Sequence, residues 1–182
     1  SNPRETERFE TLKRLMSEAR GLGLKVMLFP IIWLEERAAG EWRGVLKPSE
    51  PERWWASYRA VILRYASVAE ESGAWVLSVG SELSAQESEE GRWRSLIAEV
   101  RARFQGELTY SANWDHFDQV PFWSALDMIG VSAYYEVASR PESSLEEMKA
   151  RWSQVRWSLL DWRARAHPTR PLLFTELGYP SH

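Results

Sequence analysis

Five strand-length apolar runs alternate with helix-length amphipathic segments, and polar and aromatic residues gather just after each run. Together these observations predict an α/β fold, a (β/α)8 TIM barrel that is incomplete in this chain. Near-continuous apolar runs are what a parallel sheet covered by helices requires. In a barrel the carboxyl ends of the strands converge on one mouth, where active sites lie. An open doubly wound sheet would instead bind ligands at a switch point. No G-x-G-x-x-G or G-x-x-x-x-G-K follows any of the runs, so the barrel is the preferred reading.

The elements follow in order. Asn2-Pro3-Arg4-Glu5 reads as a helix start, with Asn as N-cap and Pro in the first turn. Phe9, Leu12, Leu15, Met16, Ala19 and Leu22 then recur at helical spacing until Gly21 and Gly23 end the helix. Lys25–Ile32 is the first strand, ending at Trp33, and a charged, Gly-containing loop covers Glu35–Glu50. A long helix starts before Pro51, carries Trp54, Trp55, Tyr58, Ile62 and Tyr65, and ends near Ser72. The second strand, Ala74–Val79, runs into Gly80-Ser81-Glu82. A helix over about Ser88–Phe104 leads to the third strand, Glu107–Ala112, which ends at Asn113-Trp114-Asp115-His116. A short helix near Val120–Leu126 precedes the fourth strand, Asp127–Tyr134. The last helix is Ser144–Arg165, and the fifth strand is Pro171–Thr175, followed by Glu176-Leu177-Gly178-Tyr179.

The 182 residues read as one domain, yet a complete barrel takes about 250 residues and eight strands. Two strands are therefore expected before the first helix and one after the last. Composition excludes several classes of protein. The chain is 44% hydrophobic, which disorder does not tolerate, and no apolar run approaches the length of a membrane span. A net charge of −3, with both signs interleaved, leaves no footprint for nucleic acid. There is no cysteine, hence no disulfide framework, and no signal-peptide pattern opens the chain. The three histidines are isolated, so no metal is expected. The unusual number is 11 Trp. An indole N–H needs a partner when hidden, so this many indoles suggests that some line a cleft suited to flat sugar faces.

Glu82 and Glu176 each end an apolar run, and each has a Gly two positions away. Two carboxylates on facing strands are the minimal equipment of a glycosidase: one protonates the glycosidic oxygen, the other attacks the anomeric carbon or activates water. Two such groups held close together resist double ionisation. Trp33 and Trp114 are candidate stacking platforms. Of the adjacent tyrosines, strand alternation from Ser132 turns Tyr134 toward the interior, as a candidate either to hydrogen-bond a catalytic carboxylate or to serve structure alone. The helical Trp54, Trp55, Trp93, Trp152, Trp157 and Trp162 read mostly as core. Asp115 and His116 read as loop hydrogen-bonding residues, Glu136 as a weaker carboxylate candidate, and Asp127 as lying at the wrong end of its strand.

The strings VLSVGSELS (Val76–Ser84), LTYSANWDHFDQVPFW (Leu108–Trp123), LDMIGVSAYY (Leu126–Tyr135) and LLFTELGYPS (Leu172–Ser181) resemble glycoside hydrolase family 113. So do GLKVMLFP (Gly23–Pro30) and the Trp42-Arg43 and Trp54-Trp55 pairs. The resemblance runs nearly end to end, from the helix before barrel strand three to just past strand seven. It implies a retaining β-1,4-mannanase on a TIM barrel, with Glu82 as acid/base and Glu176 as nucleophile. It further implies sugar contacts at Asn113, Trp114 and Tyr134, an oligo- or polysaccharide substrate and no cofactor. Two positions depart from the pattern: Ile31 follows Pro30 where the family commonly has a polar residue such as His, and Ser81 precedes Glu82 where the wider clan often has Asn. The alternative expectation is a catalytically silent carbohydrate-binding barrel or an inactive fragment.

Overall fold

A computed structural model describes residues 3–34, 40–138 and 140–179. Five parallel strands form one sheet: β1 (Met27–Leu28), β2 (Val76–Ser81), β3 (Glu107–Asn113), β4 (Ile129–Ala133) and β5 (Leu172–Leu177). Their spatial order is their sequence order. A doubly wound sheet must reverse that order somewhere, so the unbroken progression belongs to a barrel wall. Helices α1 (Pro3–Gly21), α2 (Pro51–Glu71), α3 (Glu90–Arg101) and α4 (Leu145–Ala166) alternate with the strands. The link from β3 to β4 has no α-helix and carries two 3-10 turns, Phe117–Gln119 and Trp123–Ala125. They replace the expected helix near Val120–Leu126, because Pro121 between them lacks the amide a continuous helix needs.

β3 starts where its apolar run predicts and gains one residue, while the other four strands are shifted or trimmed for local reasons. β1 keeps two residues of the expected eight, since Pro30 removes a ladder donor and restrains Phe29 before it. β2 starts later, because the amide of Ala74 still closes the α2 turn on Ala69 O at 2.8 Å. It then runs two residues further, through Gly80 and Ser81. β4 is cut at its start, where the amides of Asp127 and Met128 both donate to Leu108 O. β5 extends to Leu177, so Glu176 stands within the strand and not beyond it. Asn2, the expected cap of α1, lies outside the described residues. α2 begins at Pro51 with Glu50 as its cap residue. α4 has a full capping box: Ser144 Oγ accepts from the Glu147 amide, and the Ser144 amide donates to Glu147 Oε2 at 2.7 Å.

The core between helices and sheet is largely aromatic. Trp54, Trp55, Tyr58, Trp93, Tyr110, Phe122 and Trp123 form one chain of ring contacts joining α2, α3, β3 and the β3–β4 link. The buried indoles find main-chain acceptors: Trp93 Nε1 donates to Gln86 O at 2.9 Å and Trp123 Nε1 to Phe117 O at 2.7 Å. The helical tryptophans are thus core, except Trp157, which is exposed on α4. The other face of the sheet is lined by small hydroxyl residues. Thr109 Oγ1 donates to Met128 O, Ser78 Oγ donates to Gly80 O, and Ser111 Oγ meets Thr175 Oγ1. Gly130 is obligatory here, since a Cβ would lie 2.3 Å from Tyr110 O.

Candidate active site

Two irregularities in the ladder sit at the same level of the sheet. The β2–β3 register shifts between Ser78 and Ser81, and the β4–β5 register shifts between Val131 and Ser132. A bulge re-aims the side chains that follow it. The first delivers Glu82 just past β2, with its amide donating 2.7 Å to Ser111 O. The second sets Ser132 opposite Glu176. Glu82 is 7% exposed and Glu176 is half-buried. The Ser132 hydroxyl donates to Glu82 Oε1 and also lies 3.2 Å from Ala112 O.

One cation joins the two acids. Arg43 Nη2 lies 2.7 Å from Glu82 Oε2 and 3.7 Å from Glu176 Oε1. The arginine comes from a 3-10 turn, Arg43–Val45, in the loop after β1. That loop is tied to the segment behind Glu82, because Gln86 Nε2 donates to Leu46 O at 2.7 Å. On the other side of Glu176, the Tyr134 hydroxyl donates to Oε2 at 2.9 Å. This contact raises the Tyr134 hydroxyl above its ordinary value, since the carboxylate accepts a hydrogen bond from the protonated form, and burial and the acid's charge oppose a second anion. Gly178 makes room for that ring: a Cβ there would lie 2.8 Å from Tyr134 Cε1.

The remaining expected residues are placed less uniformly. Ser81 is buried and its Oγ has no hydrogen-bond partner among the described residues. Arg43 Nε and Glu176 Oε1 share that condition among the described residues. Asn113 ends β3 with Oδ1 accepting the Trp114 amide at 2.9 Å. Trp114 is exposed, edge-on to the buried Tyr135 at 5.4 Å. Trp33 lies beyond β1 and is 72% exposed. Asp127 belongs to the opposite end of the sheet, where it accepts from Arg101 at 2.5 Å and from the Leu108 amide at 2.7 Å. Glu136 is exposed in the loop after β4.

Arg43 and Ser132 are the contacts that sequence reasoning missed as site residues. The Ser132 contact follows from a bulge, which apolar periodicity does not report. Arg43 stands in a charged loop, where a lone arginine looks like any solvated one; its only signal was the adjacent Trp42.

A model of Glycoside Hydrolase Family 113 matches residues 3–182. No curated protein matches the chain. Among solved structures, the GH113 beta-mannanase AaManA from Alicyclobacillus acidocaldarius, in complex with ManMIm, is similar at 33% identity and a TM-score of 0.80. The match covers 95% of this chain and 52% of that one. A GH113 beta-1,4-mannanase in a complex is 29% identical with a TM-score of 0.71, covering 91% and 51%. A further GH113 beta-1,4-mannanase is 27% identical with a TM-score of 0.67, covering 91% and 67%. This chain thus spans about half the length of the first two, and its five strands are part of the TIM barrel. From the family match and these likenesses, the chain belongs to glycoside hydrolase family 113.

Proposed function

We propose that this chain is the catalytic wall of a retaining glycoside hydrolase acting on β-1,4-linked mannan, with Glu82 as acid/base and Glu176 as nucleophile. One observation carries the reading: a single guanidinium nitrogen contacts a carboxylate oxygen of each acid, at 2.7 and 3.7 Å. A nitrogen shared at those distances draws the two carboxylates toward one point, in keeping with the short separation that a retaining pair needs. The similar beta-mannanases support mannan as the substrate.

In the first step Glu82 gives its proton to the glycosidic oxygen while a Glu176 oxygen attacks the anomeric carbon, and the C–O bond to the leaving sugar breaks. Glu82, now a carboxylate, takes a proton from water. That water attacks the same carbon and releases Glu176. Tyr134 holds Glu176 through Oε2, which leaves Oε1 for attack. Ser132 holds Glu82 through Oε1, which leaves Oε2 facing Arg43. Trp114, Asn113, Ser81 and Trp33 are assigned to contact sugar along the cleft.

Reducing-sugar release from β-mannan by the whole protein tests the reading. Glu176→Ala is expected to abolish turnover with folding preserved. Glu82→Ala is expected to lose substrates with poor leaving groups first and to recover part of the rate with azide. Wild-type rates in both variants would refute the assignment. Oligosaccharide binding with no release by the wild type would favour a silent binding barrel.

A further inference from the structure

Behind Glu82 the chain holds a third acid that the proposed reaction does not use. Glu87 is 3% exposed, and its Oε1 accepts from the Tyr110 hydroxyl at 2.8 Å. Its Oε2 is buried with no hydrogen-bond partner among the described residues. Tyr110, fully buried, accepts in turn from the Leu83 amide at 2.7 Å. A tyrosine hydroxyl has one proton; with that proton drawn to Glu87, its lone pair faces the amide. Burial pushes the Glu87 carboxyl above its ordinary range, with Asp115 and Glu82 adding to the rise and the Tyr110 bond and His116 opposing it. A neutral acid still accepts at one oxygen, so the relay does not need the charge.

The relay ends at a demanding point of the backbone. Glu82 has φ +48°, the only positive value among the described non-glycine residues. Such a conformation persists only where its surroundings impose it. Here the amide of Glu82 is held by Ser111 O, and the next amide, of Leu83, by Tyr110. Peptide planes on both sides of the Glu82 Cα are thereby fixed, and with them the direction of its side chain. The Tyr110 ring is already held edge-on against the stacked Trp93 and Phe122 rings, at 5.2 and 5.3 Å. What Glu87 adds is the orientation of the hydroxyl.

We infer that Glu87 is a positioning residue for Glu82: by orienting the Tyr110 hydroxyl it pins the Leu83 amide and so maintains the left-handed turn that aims the Glu82 carboxylate. The inference rests on the acid/base role proposed for Glu82.

Glu87→Gln, Glu87→Leu and Tyr110→Phe in the whole protein test it with two readouts. The first is hydrogen exchange at the Leu83 amide, which does not depend on turnover. Exchange is expected to quicken by about tenfold or more in the Leu and Phe variants and to stay near wild type in the Gln variant. Amides of β3 serve as the control for intact folding. The second readout is kcat on an unactivated β-1,4-linked substrate beside an aryl glycoside with a good leaving group. The Leu and Phe variants are expected to lose about tenfold or more on the first, far less on the second, with KM unchanged. The Gln variant, which still offers an acceptor oxygen, is expected to restore the rate. Unchanged Leu83 exchange in Glu87→Leu would overturn the inference, as would a Gln variant as impaired as the Leu variant. A wild type that hydrolyses neither substrate would refute the hydrolase reading instead, while the exchange data still decide what Glu87 does.

Discussion

The hydroxyls of Ser111 on β3 and Thr175 on β5 meet at 2.6 Å, over the strand that separates them. In a flat sheet, strands two apart lie about 10 Å from each other, too far for two short side chains to touch. The sheet therefore curls toward the face that carries them, as a barrel interior layered from alternate strands does. The same curl lets Glu82 and Glu176, three strands apart, reach one arginine.

Thr175→Val keeps the shape of the side chain but leaves Ser111 without its partner. It is expected to cost about 1–2 kcal/mol in urea denaturation, with Thr175→Ser close to wild type. Equal stability of all three proteins would show that the hydroxyl contact contributes nothing to the curl.

Arg43→Met removes the charge that stands between the two acids. A loss of about a hundredfold in kcat/KM on β-mannan is expected, with thermal stability nearly unchanged because the side chain rises from a surface turn. Lysine is not expected to restore the rate, since its ammonium is a compact, strongly hydrated point charge on a flexible stem and does not reproduce the position of the guanidinium nitrogen. An Arg43→Met enzyme with normal kinetics would remove the bridge from the mechanism.

Tyr134→Phe deletes the donor to Glu176 Oε2, and about a tenfold fall in kcat is expected. Gly178→Ala is expected to act alike by pushing the ring aside. Combined, the two changes are expected to cost little more than either alone, because they break one contact. Because the Tyr134 hydroxyl is raised above its ordinary value of 10.0, no loss of rate below that pH is expected from its ionisation. Additive losses in the double variant would mean that Gly178 serves something other than Tyr134.

Glu87→Gln changes how stability depends on pH. A carboxyl raised above its ordinary value of 4.5 binds its proton more tightly in the folded chain than in the unfolded one. Its contribution is fully present below that value and is lost as pH rises through the raised one. The variant, neutral throughout, is therefore expected to gain on the wild type in denaturation midpoints as pH rises above 4.5. A difference that does not vary with pH would contradict the burial effect.

Much of this architecture is legible from the chain. Alternating apolar runs and helices announce a parallel sheet, and the residues after each run mark the mouth. The gap lies wherever backbone geometry departs from periodicity. Two register shifts decide that Ser132 contacts Glu82 and stands beside Glu176, and no hydrophobic pattern encodes them. The runs also appear more apolar than the interior is, because Ser78, Thr109, Ser111 and Thr175 satisfy one another or the main chain once paired. Tyr134 stands one residue past β4, which ends at Ala133, and its hydroxyl donates to Glu176. Trp33 does not join the pattern, since β1 ends at Leu28, too early to carry its alternation that far.

The turn bearing Arg43 stands outside the sheet and is moored to it through Gln86 and Leu46. Scaffold and reagent are thus separable. Replacing this turn changes the group that stands between the two acids and leaves the strand pairing untouched, so new reactivity can arise here without rebuilding the fold.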